Sequence, residues 1–408
     1  MLLYKLSAVG IKGRMYSAIS SLYSNPQSRV VLYDLETEYF KCPMGVKQGD
    51  CLSPTLFALY INDLANEIKE ANIGVKLTGG NENEILACIG ILLYADDIVC
   101  LAECEQDLQS ILSIVERWCR RWRLEVNLTK TNIMHVRNAR KERTRFTFLF
   151  DWKPVPYCTD YKYLGSNINE FLSFKFTVEK HSESAGRALS AIVTKMIKNN
   201  GFPYNVYSLL ISACVNSVSD YCAAITGFSQ YESLEKVQLR AIRAFLGLPK
   251  NTCSSGVFSE VDLLLPHLRT RIIMVRYYHR MLCLSDRRIT KKVFIWDRTL
   301  NESNRIKTWY SEVREIFTSA GVEANSIPNS IFNLGVTIEN LNSSFKKKQM
   351  ELLSNECQTK PKLRTFLTFK NFQEIPAYIT KSLTFHQLGM FPVKDRDWSI
   401  LVKSPKRY

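Results

Sequence analysis

The sequence predicts an α+β fold, with a β-rich mixed region followed by a mainly α-helical one. Three observations predict it. Among the helical stretches of roughly the first 170 positions lie short β-branched and apolar runs bounded by turn residues, those at 85–93 and 98–102 too short for helices. Helical spacing of apolar residues takes over from about residue 174. The chain has 408 residues, 46% of them hydrophobic, enough for a sizeable core and two or three domains.

Residues 4–23 carry an amphipathic helical pattern, interrupted at Gly10-Ile11-Lys12-Gly13, and Asn25-Pro26 marks a turn. Residues 28–33 and 38–42 are β-branched and aromatic, and Asp34-Leu35-Glu36-Thr37 between them predicts a hairpin. Residues 45–50 form a loop. Ser53 as N-cap and Pro54 as first helical residue start a helix. Its Phe57, Tyr60, Ile61, Leu64 and Ile68 recur at helical spacing to about residue 71. Residues 72–83, with Gly74, Gly79 and Gly80, predict strand and turn. Residues 85–93 and 98–102 predict two buried strands around a tight acidic turn at Ala95-Asp96-Asp97. A helix over 105–122 comes next, with Leu108, Ile111, Leu112, Val115, Cys119 and Trp122 as its apolar stripe. Residues 124–128 and 131–136 are strand-like, and 138–145 form a basic loop. Residues 146–150 and 161–164 bracket Pro154 and Pro156 as a further hairpin. Helices are expected over 178–199, 204–214, 234–246 and 268–284. The last hundred residues are polar and helical in patches.

Lys and Arg outnumber Asp and Glu by 54 to 39, a formal charge of +15. That surplus suits a polyanionic partner such as nucleic acid, and equally a basic protein without one. The most apolar stretch, 85–94, runs into Asp96 and Asp97 and falls short of the about 20 residues of a membrane span. Met1 opens onto Leu-Leu-Tyr-Lys with no charged leader and no small-residue cleavage site, so no membrane partner and no secretory signal are expected. The 12 cysteines include no C-x-x-C pair; Cys100 and Cys104 come nearest. Reduced thiols in an intracellular protein, nuclear or cytoplasmic, are the simplest expectation.

Two carboxylates at the tip of an apolar hairpin call for a compensating cation, because buried unpaired charge is costly. Hard cations such as Mg2+ take carboxylate oxygens and keep positions open for water and phosphate. Two adjacent aspartates alone also fit an ordinary surface turn. Ahead of them, the glycines of Gly45-Val46-Lys47-Gln48-Gly49-Asp50 allow close backbone approach to a ligand. Gln48 can hydrogen-bond a base or sugar edge, and the helix start near Ser53 favours anions.

Tyr94-Ala95-Asp96-Asp97 between two apolar strands resembles the active-site box of reverse transcriptases. Gly45–Pro54 with Leu59-Tyr60-Ile61-Asn62-Asp63-Leu64 resembles the glycine-rich loop and following helix of reverse transcriptases from non-LTR (LINE-type) retrotransposons, with Cys51 where proline is commoner. Weaker matches come in order at Trp118–Met134, at Tyr161-Lys162-Tyr163-Leu164-Gly165, and in the helical stretches around 234–250.

The resemblance covers about residues 1–300. It implies a partial right-hand polymerase palm over 1–170, an antiparallel sheet with packed helices. A helical thumb-like region over 171–250 and a helical C-terminal region over 251–408 would complete the chain. It implies RNA-directed DNA polymerase chemistry, with an RNA template, a DNA primer and dNTP as partners. Two Mg2+ or Mn2+ ions would serve as cofactors. Asp96 and Asp97 would be catalytic metal ligands, and Lys130 a general acid toward pyrophosphate. Gln48, Gly49, Tyr94 and Asn127 would contact substrate or template. Tyr163, Leu164 and Gly165 would form the primer grip. The family's first carboxylate lies on a strand ahead of the segment matching residues 2–11, and its fingers lie there too, so a chain truncated at its N-terminus is expected. Two readings stay open: a fragment or degenerate copy of a working polymerase, and an inactive nucleic-acid-binding remnant.

Overall fold

The computed structural model describes residues 1–363 and 366, save 43–44, 48, 80–84, 200, 262 and 305. It has mixed helix and strand, with strands paired only in small antiparallel two-stranded sheets. The chain divides into two compact units. Unit 1 is Met1–Ile133 with Thr144–Tyr157; unit 2 is Met134–Arg143 with the described residues from Cys158 onward.

Unit 1 opens with α1 (Leu2–Ala8) and α2 (Gly13–Ser24). The break between them falls where Gly10 takes a φ of +89°. A hairpin comes next as two short ladders: β1 (Gln27–Ser28) on β4 (Phe40–Lys41), and β2 (Val31–Leu32) on β3 (Leu35–Glu36). Its turn is at Tyr33-Asp34, earlier than the polar run suggested. Tyr33 takes the left-handed φ of +53°. Helix α3 (Ser53–Ala71) has Leu52, not Ser53, at its N-cap. The Ser53 side chain is buried, with its Oγ 3.4 Å from the Tyr23 hydroxyl. Asp50 secures the entry instead, its Oδ1 accepting from the Leu52 N–H at 3.2 Å.

Strand β5 (Val75–Thr78) pairs antiparallel with β6 (Ile85–Ile89), and β7 (Ile91–Tyr94) pairs with β8 (Asp97–Cys100). Gly90 separates β6 from β7, and its carbonyl accepts from the Leu101 N–H at 2.9 Å. A Cβ on Gly90 would lie 2.3 Å from the Ile73 carbonyl oxygen, and one on Gly74 2.4 Å from the Gly90 nitrogen. The two glycines thus let backbones touch where the sheet changes partner. Helix α4 (Glu105–Trp122) packs its stripe of Ile111, Leu112, Val115, Trp118 and Cys119 against Ile61, Leu64 and Ile68 of α3 and Ile91 of β7. Residues 124–136 hold one isolated bridge, Ile133 with Tyr157, rather than the two expected strands. Asn127 diverts them: its Oδ1 accepts from the Thr129 N–H at 3.1 Å and Oγ1 at 2.6 Å. Its carbonyl takes the N–H groups of Lys130 and Thr131 at 3.1 Å. Local capping of this kind competes with strand pairing. Strand β9 (Leu149–Phe150) pairs with β10 (Lys153–Pro154) and closes the unit.

Lys5 ties α1 to this core. Its ammonium lies 4.4, 4.4 and 3.8 Å from the ring centroids of Tyr60, Trp118 and Trp122. It donates to the Tyr60 carbonyl and, at 2.8 Å, to Asp63 Oδ1, which also accepts from Trp118 Nε1 at 3.1 Å. Burial pushes the amine's pKa down, and Asp63 offsets part of that.

After Met134–Arg143, unit 2 has its own hairpin, β11 (Asp160–Tyr163) on β12 (Ser166–Asn169). The residues 146–164 therefore form two hairpins, not one, with turns at Asp151-Trp152 and Leu164-Gly165. Helix α5 (Phe174–Lys198) is capped by Ser173, whose Oγ accepts from the Phe176 N–H. Helix α6 (Tyr204–Leu210) runs into a π-helical stretch, Ile211–Asn216, and then into α7 (Ser217–Ser219). Short α8 (Ala223–Thr226), α9 (Glu232–Leu246), α10 (Ser254–Ser259) and α11 (Pro266–Cys283) come after it. The chain goes on through α12 (Ile289–Asn304), α13 (Trp309–Ser319) and α14 (Leu334–Thr359). One buried cluster joins these helices, from Leu189 of α5 through Phe245, Val275 and Tyr278 to Phe345 of α14. Among the described residues no helix is long and apolar enough to cross a membrane.

Candidate active site

The β7–β8 hairpin presents the acidic pair. Tyr94 pairs with Asp97, so Ala95 and Asp96 form a two-residue turn. Ala95 takes a φ of +50°, a region uncommon for a residue with a Cβ and found at functional turns. Below the turn, Ile91 packs into the unit 1 core and fixes the strand's facing. Tyr94, Ala95, Asp96 and Asp97 are all exposed, Tyr94 at 63%. Among the described residues neither aspartate side chain has a hydrogen-bond or ion-pair partner.

Two adjacent unpaired carboxylates fit one hard cation, whose other positions water or phosphate would fill. Among the described residues no group of three or more Asp, Glu, His or Cys side chains could hold a metal. A second, shared ion therefore has no full ligand set in these residues.

The other candidate residues lie around this turn in sequence but in different local settings. Gly49 (φ +81°) sits in the loop that enters α3, as does Gly45 (φ +86°), and side chains would have open space but strained backbone there. Gln48 lies outside the described residues. Asn127 uses its carboxamide oxygen on the turn that carries the exposed Lys130. Tyr163, Leu164 and Gly165 are in unit 2, at the tip of the β11–β12 hairpin. Leu164 and Gly165 have φ values of +47° and +85°. The Tyr221 hydroxyl donates to the Leu164 carbonyl at 2.6 Å, and its ring lies 3.4 Å from where a Gly165 Cβ would stand.

No local pattern announces this Tyr221 brace, which stands 57 residues away in the chain. Nor does any pattern single out Glu170. Arg137, just ahead of the basic loop, and Arg143 within it both turn inward to this carboxylate, at 3.0 and 2.9 Å. The hydrogen bond from Arg143, and then the charge of Arg137, hold it below the usual carboxylate range against burial that would raise it. These two cations are thus structural, while Arg140 and Lys141 of the loop stay exposed.

Known proteins share this arrangement of sequence. Residues 1–168 match the family described as reverse transcriptase (RNA-dependent DNA polymerase). The RNA-directed DNA polymerase from mobile element jockey of Drosophila funebris is 24% identical over 295 residues, covering 69% of this chain and 30% of that protein. The retrovirus-related Pol polyprotein from type-1 retrotransposable element R2 of Nasonia vitripennis is 31% identical over 129 residues, 32% of this chain and 12% of that protein. The probable RNA-directed DNA polymerase from transposon X-element of Drosophila melanogaster is 32% identical over 158 residues, 37% of this chain and 15% of that protein. The chain spans 30% of the length of the jockey relatives. With the Tyr94–Asp97 hairpin and the glycine-flanked entry to α3 inside the matched segment, residues 1–168 carry a reverse transcriptase domain similar to those of non-LTR retrotransposons.

Proposed function

We propose that residues 1–170 are the palm portion of an RNA-directed DNA polymerase and that Asp96 and Asp97 are its metal-holding carboxylates. One observation carries this: both stand exposed and unpartnered on a turn that an apolar hairpin fixes against α3 and α4. Residues 171–250 would act as a helical thumb. A divalent ion held there would stabilise charge on a phosphoryl group and favour ionisation of an attacking hydroxyl. The chain's own residues orient the substrates. Tyr94 offers a ring edge beside the carboxylates, and Gln48 with Gly49 offers hydrogen bonding and close backbone approach to a nucleotide. Asn127 stabilises the turn bearing Lys130, which is suited to donate a proton to departing pyrophosphate. Tyr163, Leu164 and Gly165 would hold the primer strand, and template RNA would run over the basic surface.

The metal assignment is tested by Mn2+ titration followed by electron paramagnetic resonance. Outer-shell partners alone are commonly worth about 10–100-fold in metal affinity. Asp96→Asn or Asp97→Asn should therefore weaken binding by at least about tenfold. Unchanged Mn2+ affinity in both variants would sink the assignment. In a longer protein carrying this domain, Asp96→Asn should abolish primer extension on an RNA template.

A second reading is binding to nucleic acid without catalysis. It is favoured by the absence, among the described residues, of a third metal ligand, together with the +15 charge. It predicts that the 408-residue chain binds a primer–template with Mg2+ present and extends it by no nucleotide.

A further inference from the structure

Tight two-residue hairpin turns favour Asn-Gly or Asp-Gly, because both central residues take positive φ. At the β9–β10 turn the pair is Asp151-Trp152, with φ of +49° and +62°. Asp tolerates that region; a bulky aromatic there is an outlier. Such conformations persist only where the surroundings enforce them, and they gather at ligand contacts.

Helix α4 supplies the enforcement. Gln109 Nε2 donates to the Leu149 carbonyl and Gln109 Oε1 accepts from the Leu149 N–H, both at 2.9 Å. The Asp151 N–H donates to Glu116 Oε2 at 3.1 Å, and Arg120 Nη2 donates to Asp151 Oδ1 at 2.6 Å. The hairpin is thus pinned by Gln109, Glu116 and Arg120 along α4. The core gains nothing from Trp152, since the side chain is 85% exposed.

We infer that Trp152 is a stacking platform for an unpaired base of a single-stranded nucleic acid. Stacking on an aromatic ring suits every base, and cations beside the ring follow the backbone. Lys153 next to it, Arg145 ahead of β9 and Arg117 on α4 are cations in the same unit. Asp151 and Glu116 are engaged by Arg120, while Lys153, Arg145 and Arg117 are exposed and make no ion pair among the described residues, which leaves them open to a polyanion. The stacking role rests on the nucleic-acid function proposed above and adds a contact outside the acidic turn.

The test uses the full chain, a labelled single-stranded DNA of mixed sequence, and fluorescence anisotropy at low salt. Trp152→Ala should weaken binding by about tenfold, and Trp152→Phe by no more than about twofold. The wild-type tryptophan emission should be quenched on binding, with less quenching in Trp152→Phe. Trp152→Gly relieves the backbone and removes the ring, so it should melt no lower than wild type yet bind as weakly as Trp152→Ala. Equal affinity of Trp152→Ala and wild type would overturn the stacking role while leaving nucleic-acid binding intact. No binding by the wild-type chain would overturn the nucleic-acid function itself. Loss of self-association in Trp152→Ala with unchanged DNA affinity would make Trp152 a protein contact and likewise overturn the inference.

Discussion

Single residues set the limits of unit 1. Lys5 is 6% exposed and enclosed by Tyr60, Trp118 and Trp122. Cation–π contacts contribute about 2 kcal/mol when desolvated. Asp63 is 41% exposed and keeps its bond from Trp118, so it is not stranded when Lys5 is removed. Lys5→Met should therefore cost about 2 kcal/mol, measured as a lower urea midpoint at unchanged slope; a shift below about 0.5 kcal/mol would show the cage to be passive. Gly90 is less forgiving, because the atom its Cβ would meet is backbone. Gly90→Ala should cost about 3 kcal/mol, visible as thermal destabilisation. Only one of these two residues left a trace in the sequence. A glycine inside an apolar run hints at close backbone approach. A lysine in the first helix of a basic chain hints at nothing, because its cage is built from residues 55 to 117 positions away.

At the scale of elements, the acidic hairpin and α3 to α5 were legible because their apolar periods are unbroken by local capping. The stretch after α4 was not, since side-chain bonds from Asn127 outcompete the strand propensity of its neighbours. Helix α14 was hidden for another reason. Its buried Leu341, Phe345 and Leu353 are interrupted by the charged run Lys346-Lys347-Lys348, so composition masks the stripe. Helix α11 carries a pH dependence. Burial, and then repulsion from Arg271, push the His267 pKa down to about 4, outweighing the Glu235 carboxylate 3.7 Å from Nδ1. The folded form thus binds fewer protons than the unfolded chain between pH about 6.5 and about 4. Stability in unit 2 should fall as pH drops through that window, by up to about 3 kcal/mol from this group. His267→Gln should flatten that part of an acid-unfolding curve followed by circular dichroism. An unchanged slope would assign the loss to other groups.

For the whole molecule, charge is the property that composition states most directly. A surplus of +15 spread over exposed Lys and Arg should make binding to single-stranded RNA or DNA steeply salt-dependent. Affinity should fall by at least about tenfold between roughly 50 and 200 mM salt, measured by anisotropy. A flat response would exclude an electrostatic contact. The resemblance to reverse transcriptases was legible because Tyr94–Asp97 and Gly45–Pro54 are local strings in a fixed order. The brace of Tyr221 on the candidate Leu164, and the pairing of Glu170 with two arginines, join distant positions and carry no local signature.

The π-helical stretch at Ile211–Asn216 has a bearing on descent. Its i to i+5 bonding accommodates one residue more than an α-helix would over the same rise. In an alignment such a turn reads as a single-residue insertion. Deleting any one residue of 211–216 should restore α spacing while leaving the downstream segment in register, because the extra residue is absorbed within the turn. Tyr221 would then keep its bond to the Leu164 carbonyl. A one-codon gap in this stretch should thus leave the brace intact, and relatives with and without the extra residue should share it.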